Sequence, residues 1–172
     1  KLIQGSDEEL EYIDMLSGPL VGNLLQILVQ LAGAKNCLEI GTFTGYSAIK
    51  MAEVLPTGGR IDTIEMNLRY QKIAQENFQK YGFDDRIQLI KANAREEITK
   101  LNKIYDLIYL DADKRYYQHY YDHCIPILKS GGILIADNVL WSAQVLAPED
   151  PKSQALDAFN KQLKIDNRVS HV

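Results

Sequence analysis

The segment YLDADK, residues 109–114, sets Asp111, Asp113 and Lys114 directly after IYDLIY, an apolar run that reads as a buried strand. Burying a charge is costly unless it is paired or coordinates a metal, so charges at this position need a task. A second polar group, Asp137 and Asn138, closes the apolar run ILIADN at 133–138. Two carboxylates and an amide oxygen, with no cysteine or histidine beside them, make a hard oxygen-only donor set. Such a set favours Mg²⁺, Mn²⁺ or Ca²⁺ over zinc. Left unpaired, two close carboxylates would repel, and one would keep its proton. The competing reading is structural: Asp137 and Asn138 cap the loop before Trp141, and Lys114 is a surface lysine at a helix start.

A second candidate region is EIGTFTGYS, residues 39–47, a strand end, a glycine turn and a helix start. Gly41 and Gly45 permit a tight turn and close backbone approach to a ligand, and helix N-terminal N–H groups attract anions. Glu65 follows about twenty residues after Gly45 at the next strand end, where a carboxylate can accept hydrogen bonds from ribose hydroxyls. The third glycine of the dinucleotide fingerprint is missing, which points to a nucleoside without a pyrophosphate rather than to NAD. A glycine turn with no ligand is the bland alternative.

The elements that position these groups alternate. Helical spacing of Leu20, Leu24, Ile27, Leu28 and Leu31 predicts an amphipathic helix over 19–32, with Pro19 in its first turn. Strands are predicted at 36–41, 60–66, 86–92, 105–111 and 133–138. Between them lie helices at 45–55, along the face Tyr70, Ile73, Ala74, Phe78 and Tyr81, at 94–101 and at 115–129. A last helix covers 152–164, with Leu156, Phe159 and Leu163 inward, and RVSHV begins a sixth strand. Strands alternating with helices imply an α/β fold, a mostly parallel sheet with helices on both faces. Ligands of such sheets bind beyond the carboxyl ends of the strands, at the topological switch point. Four of the five predicted strands deliver a carboxylate to that edge, and four acids together make a site.

Bulk properties narrow the classes. The 172 residues fit one domain, 1–172, with 46% hydrophobic and 24% charged residues. A net charge of -4 argues against a general polyanion binder. Cys37 and Cys124 belong to no metal motif, so they read as two buried thiols in a reducing compartment. The N-terminal KLIQGSDEEL is no signal peptide, and LLQILVQLAGA is too short to span a membrane, which makes a cytoplasmic protein the simple expectation. His119 and His123 lie four apart on one helical face, but without a third ligand they do not argue for zinc.

LEIGTFTGYSA (38–48) resembles the first motif of the S-adenosylmethionine-dependent methyltransferases, in the variant found in the class I, divalent-metal-dependent O-methyltransferases that include the caffeoyl-CoA and catechol enzymes. YDLIYLDADKRYY (105–117) and GGILIADNVLW (131–141) are similar to that family's next two signatures, in the same order. The resemblance runs from about Ser17 to Arg168 and implies a Rossmann-like methyltransferase fold. It implies that Glu39 contacts the methionine amino end, Gly41 and Thr42 give backbone contacts, Ser47 binds the carboxylate and Glu65 holds the ribose. It places Ala94 at the adenine, with Ala92 and Asn93 standing where many relatives have Gly-Asp, and places Ser17 near the methionine. It assigns Asp111, Asp137 and Asn138 as metal ligands and Lys114 as general base, with Asp111 also bordering the cofactor. Asp113 matches a substrate-contacting position but would serve equally as a helix cap. Trp141 either walls a flat substrate or packs beneath a loop, and Ser142 stands where plant relatives carry a substrate-contacting asparagine.

The resemblance implies methyl transfer from S-adenosylmethionine to a metal-coordinated hydroxyl of a catechol-like, vicinal-diol aromatic. Coordination lowers the hydroxyl's pKa, and a nearby lysine whose own pKa is depressed can take the proton. Two alternatives accompany it: O-methylation of a hydroxylated uridine in tRNA, and a catalytically silent S-adenosylmethionine-binding module, which intact Asp111, Lys114, Asp137 and Asn138 oppose. Family resemblance also implies a homodimer, a further N-terminal helix, and a C-terminal antiparallel strand pair that would be incomplete here.

Overall fold

A computed structural model describes residues Ser17 to Val172; the expectations for the first ten residues and for a further N-terminal helix lie outside them. Among the described residues, five strands form one parallel sheet: β1 (Asn36–Ile40), β2 (Arg60–Glu65), β3 (Ile87–Lys91), β4 (Tyr105–Leu110) and β5 (Leu128–Ala136). Their spatial order is β3-β2-β1-β4-β5. The chain steps outward from β1 to β3, then returns to place β4 on the other side of β1. That reversal between β1 and β4 is the switch point, where a crevice must open at the carboxyl edge. Side chains of a strand alternate between faces, so each strand is apolar on both. On one face Cys37, Ile61, Leu107 and Tyr109 pack under helices α1 (Pro19–Leu31), α2 (Tyr46–Ala52) and α3 (Leu68–Lys80). On the other, Leu38, Ile40, Ile64, Ile108 and Leu110 pack under α5 (Tyr117–Cys124) and α6 (Pro151–Leu163). The short α4 (Ala94–Glu97) opens the connection from β3 to β4.

Three expectations are corrected. The buried face of α1 is Gly22, Leu25 and Val29, whereas Leu20, Leu24, Ile27 and Leu31 are exposed. The reason is close packing on α2: a Cβ at Gly22 would come within 2.9 Å of both Lys50 Cγ and Tyr46 Cε1. A helix apolar on most sides is oriented by its small residue, not by its largest ones. Next, the helix expected over 115–129 is broken. Residues 114–116 form a 3₁₀ turn, α5 ends at Cys124, and Pro126 carries the chain through a second 3₁₀ turn before β5 begins at Leu128. A proline cannot donate to the preceding turn. Strand β5 therefore starts five residues before the expected 133, with a register irregularity opposite Tyr105–Leu107 that takes up KSGG. Lastly, residues 168–172 form no strand; the expected α/β sheet itself stands, with every pairing among the described residues parallel.

Candidate active site at the carboxyl edge of the sheet

Register builds the site. Ile64, Ile40, Leu110 and Ala136 stand in one row across the sheet. The ladder continues one residue further, because the Asp111 N–H donates to Ile40 C=O at 3.0 Å and the Asp137 N–H to Leu110 C=O at 3.0 Å. Asp111 and Asp137 thus lie on adjacent strands, which run about 4.8 Å apart in any sheet. Thr63, Glu39, Tyr109 and Ile135 form the row just before the strand ends. By the two-residue period, that row shares a face with Asp111 and Asp137.

Gly41 lets this edge close. At φ +102° it holds a conformation that side chains disfavour, and a Cβ there would lie 2.1 Å from the Asp111 carbonyl oxygen. Gly45, at φ +86°, faces the Phe78 ring, 2.4 Å from where its Cβ would be. Both glycines therefore also answer to the protein's own packing. The N–H groups of Gly41 and Thr42 both donate to Ile64 C=O at 3.2 Å.

Glu39 is wholly buried. It accepts hydrogen bonds from Ser47 Oγ at 2.5 Å and Thr63 Oγ1 at 2.5 Å, and Thr63 in turn meets Thr42 Oγ1 at 2.6 Å. Burial pushes its pKa up to about 8, against the pull of the two hydroxyls, with the charges of Asp111 and Glu65 adding to the rise. No cation offsets it among the groups that shift it. Ser47, the residue expected at a ligand carboxylate, gives its proton to Glu39 here. Glu65 is fixed by two backbone donors, Phe43 N–H to Oε2 and Asn67 N–H to Oε1, each at 2.8 Å. Asn93 caps α4 by accepting from Arg95 N–H at 3.0 Å, so Ala94 is the first residue of that helix.

The second half of the site centres on Asp111, Asp137 and Lys114. Lys114 is 5% exposed and donates to Asp111 Oδ1 at 2.6 Å and to the Tyr117 hydroxyl at 2.5 Å. It is no surface lysine. Tyr117 lies within reach of the carbonyls of Leu110 (3.1 Å) and Asp137 (2.9 Å), tying the ends of β4 and β5 to the lysine. Tyr109 donates to Asp137 Oδ2 at 2.7 Å and comes within 3.5 Å of Asp111 Oδ2. The Ser17 side chain lies beside the same phenol. Burial, followed by the charge of Asp111, holds the Tyr109 phenol far above its ordinary pKa. Asp137 Oδ1 accepts from Asn138 N–H at 2.7 Å and from Asn138 Nδ2 at 3.1 Å.

With its amide nitrogen turned to Asp137, Asn138 keeps its oxygen as the end able to face a cation. Among the described residues no group of three or more His, Cys, Asp and Glu side chains could hold a metal ion. The expected set has two carboxylates and is completed only by this amide. Its donors are all hard oxygens, which fits Mg²⁺ and does not suit zinc.

The remaining candidates sit around this cluster. Asp113 caps the turn at 114–116 by accepting from Arg115 N–H at 3.1 Å and pairs with the Arg115 guanidinium. Its capping role is realised. Trp141 is half-buried with Lys152 Nζ 5.4 Å from its ring, and Ser142 is exposed. Trp141, Ser142 and Ala143 all have positive φ (45°, 52° and 66°), a conformation that costs non-glycine residues about 1–2 kcal/mol each. His119 and His123 spend a ring nitrogen each on the carbonyls of Arg95 and His119. Cys37 and Cys124 are free and buried, and burial pushes both thiols up to about 12.

Thr63 and Tyr109 were not anticipated. Thr63 and Tyr109 lie two residues before Glu65 and Asp111, a spacing that puts a strand residue on the same face as the residue it precedes.

The model of the O-methyltransferase family matches residues 6–172. The chain is 34% identical over 157 residues to a catechol O-methyltransferase of Niastella koreensis, covering 88% of this chain and 71% of that one. It is 35% identical to a putative caffeoyl-CoA O-methyltransferase of Arabidopsis thaliana, covering 86% of this chain and 68% of the relative. The crystal structure of an O-methyltransferase from Bacillus cereus in complex with SAH superposes with a TM-score of 0.86 at 30% identity, over 98% of this chain and 84% of that one. The matched family model, the named relatives and the common fold place this chain in the S-adenosylmethionine-dependent O-methyltransferase family.

Proposed function

We propose that the chain transfers the methyl group of S-adenosylmethionine to one hydroxyl of a catechol-like aromatic, held by a hard divalent cation such as Mg²⁺. The observation that carries this reading is the buried Lys114 amine, 2.6 Å from Asp111, with Asp111 and Asp137 converging on one phenol at the switch point. In this reading Asp111, Asp137 and the Asn138 amide oxygen hold the cation. When bound, the cation supplies acidification of a coordinated hydroxyl. Lys114 Nζ takes the hydroxyl proton. The acceptor oxygen then attacks the sulfonium methyl, the O–CH₃ bond forming as the S–CH₃ bond breaks. Glu39, which has no cationic partner among the described residues, receives the methionine ammonium, with Ser47 and Ser17 beside it and the backbone of Gly41 and Thr42 alongside. Glu65 holds the ribose and the backbone of Ala94 borders the adenine. Trp141 walls the aromatic acceptor, with Ser142 and Asp113 at the rim.

The test is an acceptor panel with labelled S-adenosylmethionine. Catechols are expected to be methylated on one oxygen, while phenol and anisole, which lack a free vicinal pair, are not. Equal turnover of phenol and catechol contradicts the reading, and turnover of tRNA alone moves the acceptor to a hydroxylated uridine.

A further inference from the structure

We propose that the Tyr109 hydroxyl is a positioning group for the cation site: it fixes the Asp137 carboxylate, beside Asp111, in one orientation before a cation arrives. The inference rests on the reading of Asp111, Asp137 and Asn138 as that site.

Tyr109 is 1% exposed, so its hydroxyl must find its partners inside the protein. A phenol has one proton to give. The 2.7 Å contact commits it to Asp137 Oδ2, and the 3.5 Å approach to Asp111 is too long to compete. The other oxygen of Asp137 is held by the backbone and side-chain nitrogens of Asn138. The carboxylate is therefore gripped at both ends: Oδ1 is filled by the two Asn138 nitrogens, while Oδ2, which accepts only from Tyr109, keeps a lone pair for a cation. Asn138 reaches this geometry from the left-handed region, at φ +57°, which asparagine tolerates better than most residues. Outer partners of this kind restrict a ligand's rotation, and their removal costs about 10–100-fold in metal affinity.

Mn²⁺ serves as the probe, its free concentration followed by electron paramagnetic resonance with neither methyl donor nor acceptor present. The wild-type protein is expected to bind Mn²⁺, and Tyr109→Phe to bind it about tenfold or more weakly. Urea unfolding of both proteins without metal separates the roles. If Tyr109→Phe loses stability but keeps wild-type Mn²⁺ affinity, the hydroxyl is only structural and the inference is overturned. If the wild-type protein binds no Mn²⁺, the cation reading itself falls, and this inference with it. Should Tyr109→Phe fail to fold, Tyr109→Met removes the donor while keeping a flexible apolar side chain, and the same comparison of Mn²⁺ affinity applies. A several-fold loss of Mn²⁺ affinity supports the inference, and unchanged affinity overturns it.

Discussion

Glu39 carries a measurable consequence of its burial. Its carboxyl is fully enclosed, held near a pKa of about 8 by desolvation, while an unfolded chain would ionise it at about 4.3. The folded form therefore binds the proton more tightly. Its contribution to stability is present below the unfolded pKa and is lost as pH rises through the folded one. The ligand-free protein should thus melt at a progressively lower temperature between about pH 5 and about pH 8, and Glu39→Gln should flatten that slope. Thermal melts across this range check it, and a slope that persists in Glu39→Gln would refute the assignment. A bound ammonium beside Glu39 would lower the pKa and shrink the slope, so melts repeated with S-adenosylmethionine also report on the donor site.

At the scale of elements, the site depends on how closely β1 and β4 approach. The carbonyl of Asp111 occupies the space a side chain at residue 41 would need. Gly41→Ala adds both this collision and an unfavourable φ. It should destabilise the fold by about 3 kcal/mol or more, a loss that belongs to overpacked or strained positions. Chemical denaturation measures it; a loss below about 1 kcal/mol would mean the edge opens easily. Gly22 shows the same logic between α1 and α2. The sequence pattern named large apolar residues of α1 as its core face, yet the close contact runs through the residue with no side chain. Periodicity ranks residues by hydrophobicity and is blind to approach distance. The expected helix over 115–129 failed for a different reason, because an apolar run through Pro126 kept the pattern after the backbone could no longer follow it.

Across the whole molecule, the alternation of strands and helices was sufficient to read a parallel sheet, and the acids at the strand ends lie together along its carboxyl edge. Both follow from local sequence. The register that puts Thr63, Glu39 and Tyr109 in one row is a long-range property, so the hydroxyls supporting Glu39 and Asp137 were invisible until the strands were paired. Asp113 illustrates the converse: local sequence offered a helix cap, and the Arg115 N–H supplies the donor for it. The central claim concerns the edge as a unit, with Lys114 and the two carboxylates working on one acceptor hydroxyl. It is tested most directly by the initial rate of methyl transfer from S-adenosylmethionine to catechol, measured with Mg²⁺, after EDTA, and for Lys114→Met. The account predicts a rate that falls to background with EDTA and returns with Mg²⁺, and a drop of about 100-fold or more for Lys114→Met. A rate indifferent to EDTA, or a Lys114→Met enzyme with wild-type turnover, would contradict it.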